Sequence, residues 1–134
     1  KGEGVAQNYK TAVKWYRLAA EQGVTSAQYN LGQMYRKGDG VPQDYKTAVK
    51  WYTLAAEQGH ASAQYNLGVM YYNGQGVLRD YVYAHMWANI SASNGNENAI
   101  ELRDWLANEM MTSADISEAQ KLARECVAKN YKGC

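Results

Sequence analysis

Residues 2–37 and 38–73 of this 134-residue chain match at 27 of 36 positions without a gap. A period of that length means an array, in which each unit buries its apolar faces against its neighbours and no unit closes a core alone. A third, weaker copy stays in phase, keeping Gly74, Gly76, Val77, Tyr81, Ala84, Trp87, Gly95 and Ala99. The repeat also accounts for an odd composition, 12 Tyr with no Phe. Nine of those tyrosines fall in four repeated columns, at 9/45/81, 16/52, 29/65 and 35/71.

Each unit carries two helical patterns. In residues 45–58 the set Ala48, Trp51, Tyr52, Ala55 and Ala56 falls on one helix face, with Lys46, Lys50, Thr53 and Glu57 opposite. In residues 62–73 the buried stripe is Ala63, Leu67, Met70 and Tyr71. Carried along the chain, the pattern predicts seven helices, at 9–22, 26–37, 45–58, 62–73, 81–94, 97–109 and 113–130, and no strand pattern competes. Asp44 and Asp80 stand where N-caps belong, with Asn8 in their column, and Gly23, Gly59 and Gly95 stand where left-handed residues end helices. The last helix breaks the period. Thr112 with Asp115 makes a capping-box pattern, and Ile116, Ala119, Leu122, Ala123 and Cys126 form a stripe, so this helix reads as a terminal cap. The fold class expected is all-α, a solenoid of helix-turn-helix repeats in one domain, 1–134. It divides into a half repeat 1–23, repeats 24–59 and 60–95, a partial repeat 96–112, and a capping helix and tail 113–134.

Composition excludes several function classes. Lys plus Arg is 14 against 13 for Asp plus Glu, a formal charge of +1, and no basic block marks a nucleic-acid or anionic-lipid footprint. No window approaches the roughly 18 apolar residues of a membrane helix, and Lys1-Gly2-Glu3-Gly4 lacks a secretory pattern. Neither partner, nucleic acid nor membrane interior, is expected. The two histidines, His60 in a turn and His85 where earlier copies have Val13 and Val49, fit no triad, metal or zinc-protease spacing. No catalytic residue, metal or cofactor is therefore expected. The Gly-x-Gly pairs lack the third glycine and the preceding strand of a dinucleotide loop, and read as turns. Cys126 and Cys134 are eight positions apart with Gly133 between them. A turn there permits a disulfide without requiring one, and two free thiols stay equally open. A bridge would favour a periplasmic or secreted setting, free thiols the cytoplasm.

The series Ala27…Leu31-Gly32…Tyr35…Gly38-x-Gly40-Val41…Asp44…Ala48…Trp51…Ala55-Ala56…Gly59, with its copy from Ala63 to Trp87, resembles the Sel-one-like repeat, a relative of the tetratricopeptide repeat. The resemblance implies a right-handed α/α superhelix and a scaffold or adaptor role without enzymatic activity. The third copy departs from the pattern, with Arg103 for the Leu and Asp104 for the Gly, which puts its packing there in question. In family phasing helix 9–22 is the second half of a unit, so an apolar end with Trp15 and Tyr16 is expected to extend N-terminally or to self-associate.

On helix 26–37 the set Tyr29, Gln33, Arg36 lies roughly 180° from the core stripe at about 100° per residue. Its equivalents are Tyr65, Val69, Tyr72 and then Glu101, Trp105, Asn108. The resemblance places this helix on the concave side, so Tyr29, Gln33, Arg36, Tyr65, Val69, Tyr72, Glu101 and Trp105 are the expected contacts for a protein or peptide ligand. Two other readings remain: the aromatics finish the core against the next repeat, or they form stacking platforms for a small molecule or glycan of the cell envelope. Trp15, Trp51, Trp87, Tyr16, Tyr52, Tyr35 and Tyr71 are expected in the core, and Asn30 and Asn66 on loop backbone.

Overall fold

A computed structural model describes residues 2–134, with side chains from Asn8 onward; Lys1 lies outside the described residues. Among the described residues there are seven helices and no strand: α1 (Gly2–Glu21), α2 (Thr25–Lys37), α3 (Tyr45–Ala56), α4 (Ala61–Asn73), α5 (Tyr81–Ser93), α6 (Glu97–Glu109) and α7 (Ser113–Ala128). Successive helices pack on each other from α1 to α6, which makes the all-α solenoid the period implies.

The ends of the helices follow local chemistry. Asp44 accepts the Thr47 N–H at 3.2 Å and Asp80 the Tyr83 N–H at 3.0 Å, each covering a donor that the first turn leaves open. Thr112 and Asp115 complete a reciprocal capping box. Gly23, Gly59 and Gly95 follow their helices at φ 88°, 87° and 98°, values a side chain disfavours. One boundary differs from expectation. α1 begins at Gly2, not residue 9, and Asn8 lies inside it instead of capping it. Ala6 occupies the column of Pro42 and keeps the N–H that proline lacks.

Two apolar clusters fill the array. Trp51, 8% exposed, packs with Val13, Ala20, Ala27, Leu31 and Met34 of the preceding helices. Trp87 enters the second cluster in the same way, beside Ala63, Leu67 and Met70. Trp15 shares their column yet is 63% exposed, against the expectation of a core residue, because that column is buried by the unit before it. The Leu-Gly pair has a steric reason as well. A Cβ on Gly32 would stand 2.7 Å from the buried Tyr52 ring, so only glycine lets α3 approach α2 this closely.

Buried amides tie the repeats together. Gln28 donates to the Ala20 carbonyl at 3.2 Å and accepts from Gln58 at 2.8 Å. One repeat later Gln64 donates to Ala56 at 3.1 Å and accepts from Asn94 at 2.9 Å. Both amides are thereby satisfied at both ends of the side chain. α7 packs on α5 through Ala119, Ala123 and Cys126. The tail beyond it reaches the end of α3, where Lys132 Nζ donates to the Glu57 carbonyl at 3.0 Å, and Cys126 is bonded to Cys134 with Cα atoms 5.6 Å apart.

Candidate functional site

Side chains of α2 meet α4 through Gln33 and Asn66, and those of α4 meet α6 through Tyr72 and Trp105, in two unlike groups. The first surrounds Tyr52, which rises from α3 with its ring buried. Its hydroxyl donates to Gln33 Oε1 and accepts from Arg36 Nε at 3.1 Å. Gln33 Oε1 also accepts from Arg36 Nη2 and from Asn66 Nδ2, each at 3.1 Å. Burial pushes the Tyr52 hydroxyl up to about 12, with the Arg36 charge opposing, so the phenol keeps its proton across the physiological range. Arg36 is half-buried, and its bonds go to neutral oxygens. The single ion pair among the described residues is elsewhere, Arg103 Nε to Asp104 at 3.0 Å.

The second group is aromatic. Tyr72 meets Trp105 edge-on, with ring centroids 5.4 Å apart at 89°, and meets Tyr81 at 5.9 Å and 35°. Trp105 is 43% exposed, a large ring left open to solvent beside its partner. Val69 is half-buried on α4, and the exposed Glu101 lies one helical turn before Trp105 on α6.

Tyr29 belongs to neither group, since its ring stacks on His60 at 4.7 Å and tilts toward Tyr52 at 5.9 Å. It packs against the second apolar cluster. Tyr65 in the same column is half-buried, and Asn96 stands where the preceding repeat has His60. Of the eight expected residues four are thus paired, Gln33 with Arg36 and Tyr72 with Trp105, while Tyr29 packs on His60 and Tyr52.

Several participants escaped the sequence reading. Asn66 bonds a side chain across the repeat boundary, not loop backbone as expected, and Tyr52 serves both the core and the polar group. A signal was present: Gln33, Arg36, Tyr52 and Asn66 become Val69, Tyr72, Ala88 and Leu102 one period later, so all four columns lose their polarity together. His60 is the N-cap of α4, its Nδ1 accepting the Ala63 N–H at 3.1 Å, and burial holds it below the usual histidine value. His85 is buried with Nδ1 unpartnered, and burial, then the Arg103 charge, depresses it too.

A model of the Sel1 repeat matches residues 1–24, 25–60 and 61–96, most of the chain. The chain belongs to the Sel1 repeat family. Solved structures carry the same fold, among them these two. The first is c5321, a protective antigen of uropathogenic Escherichia coli strains displaying an SLR fold, with a TM-score of 0.86 and 36% identity over 91% of this chain. The second is a Sel1 repeat protein from Oxalobacter formigenes, with a TM-score of 0.73 and 32% identity over 90% of this chain. The chain spans 27% of the length of the first and 56% of the second. No curated protein matches it.

Proposed function

We propose that this Sel1 repeat chain is a non-enzymatic adaptor that holds a segment of another protein along the α2, α4 and α6 face. The observation that carries the reading is the exposed Trp105 set edge-on to Tyr72. Rings of this kind bring large amphipathic area at low entropic cost, and they dominate binding energy where proteins meet. Side-chain contacts run from α2 through α4 to α6, a spread that suits an extended chain better than a small ligand. Both histidines support the non-enzymatic reading, since His60 Nδ1 is occupied by a helix cap and His85 is buried. The Cys126 to Cys134 bond fits an oxidising compartment.

The test is affinity capture with the chain as bait, beside Trp105→Ala and the double variant Tyr65→Ala with Tyr72→Ala. Loss of captured protein with a thermal midpoint within a few degrees of the parent supports the adaptor reading. Undiminished capture by both variants rejects this face as the site.

A further inference from the structure

Arg36 stands out in the inventory of charges. It is a half-buried guanidinium whose hydrogen bonds go to the Tyr52 hydroxyl and to Gln33 Oε1, both neutral. Among the described residues no carboxylate lies within ion-pair distance of Arg36, and a guanidinium fork matches a carboxylate well. Gln33 Oε1 already takes three donors, from Tyr52, Arg36 and Asn66. Arg36 carries the only charge among these four residues, so a carboxylate brought here meets one counter-charge and no like charge within the group. One repeat on, the columns of Gln33 and Arg36 hold Val69 and Tyr72, and the surface turns apolar toward Trp105.

Resting on the adaptor reading, we propose that the segment held here carries an Asp or Glu side chain against Arg36 and an apolar or ring side chain against Tyr72 and Trp105. Charge complementarity fixes the direction. The cation lies at the α2 end, whereas the Glu101 carboxylate lies at the α6 end and repels an acid there. Spacing follows from the array. Packed helices lie about 8–10 Å apart, and an extended chain advances about 3.1 Å per residue with side chains recurring on one face every third position. Tyr72 lies one helix step along the face from Arg36 and Trp105 a second step on α6, so the acidic and apolar residues of the segment are about three to six positions apart.

The test uses the full chain and short peptides blocked at both termini, each with one Glu and one Leu or Tyr at stepped spacings, read by fluorescence anisotropy. The expected result is weak binding with the two residues adjacent and tightest binding at a spacing between about three and six. Glu→Gln in the peptide should weaken it roughly tenfold, and Arg36→Gln in the protein should abolish that difference. Because Arg36 also supports Tyr52, the peptide comparison on the unaltered chain decides the matter if that variant melts early. Peptides that bind, lose affinity with Trp105→Ala, and ignore Glu→Gln overturn this proposal and leave the adaptor reading standing. Unblocked peptides that bind through a free C-terminal carboxylate without any Glu also overturn it. Absence of binding by every peptide counts against both readings.

Discussion

The two ends of the α2, α4 and α6 face stand in one repeat phase and end in opposite chemistry. Near α2, Tyr52, Gln33, Arg36 and Asn66 are knotted by hydrogen bonds around one buried hydroxyl. Near α6, the same columns have shed every one of those groups, and Tyr72, Tyr81 and Trp105 gather as rings. The helices and their N-caps stay in phase while other columns change, among them the Leu-Gly pair, which becomes Arg103-Asp104 on α6. A repeat copied in tandem thus separates two tasks: the apolar columns hold the stack, and the remaining columns are free to diverge into a site.

The comparison breaks if the scaffold is not shared, and the tryptophan column tests that most severely. Trp51→Ala is expected to cost about 3–5 kcal/mol, the range for emptying a large buried ring. Trp15→Ala, exposed in the same column, should fall within about 0.5 kcal/mol of the parent, and urea melts of both variants check the contrast. A smaller effect is expected from exchanging the two chemistries. Gln33→Val imports the residue of the next repeat and strips an acceptor from Tyr52, Arg36 and Asn66, at about 1–3 kcal/mol. The reciprocal Val69→Gln, on a half-buried position with no hydroxyl beneath it, should cost less, and a thermal melt series ranks the two.

The smallest effect is a pH dependence that separates the repeats at one helix cap and one buried helix position. His60 and His85 both have folded values depressed by burial. Each therefore binds fewer protons folded than unfolded at intermediate pH, so stability is present above the ordinary histidine value near 6.5 and declines as pH falls through the folded values. His60→Asn, the residue of the next repeat at Asn96, keeps a capping oxygen and should flatten part of that decline. His85→Val, the residue of both earlier copies, removes an unpartnered nitrogen and should flatten the rest while raising stability at neutral pH. Melting temperatures followed from neutral to mildly acidic pH read both changes.

Much of the fold was legible because its determinants are local and repeated. Ala48, Trp51, Tyr52, Ala55 and Ala56 all lie buried on α3 as their spacing implies, and Asp44, Asp80, Thr112 and Gly59 act where their side chains, or the lack of one, dictate. The start of α1 was not legible, since Asn8 matches the cap column and only the missing proline at Ala6 marks a difference. Gln28 and Gln64 were missed as core residues because an amide reads as surface until its two partners, a carbonyl and a second amide, are known. The site was half legible. Tyr72 and Trp105 are recognisable by phase, but the tie between Gln33 and Asn66 spans 33 residues and two helices.

By itself the sequence determined the period, the helices, their caps and the columns that face inward, because each depends on residues a few places apart. The tertiary structure alone decided what each column meets. Trp15 and Trp51 are the same residue in the same phase, one open and one enclosed, because a column is buried by the neighbouring unit and not by its own helix. Tyr52 is both core and polar anchor for the same reason: the ring answers to α2, and the hydroxyl answers to side chains from two different repeats.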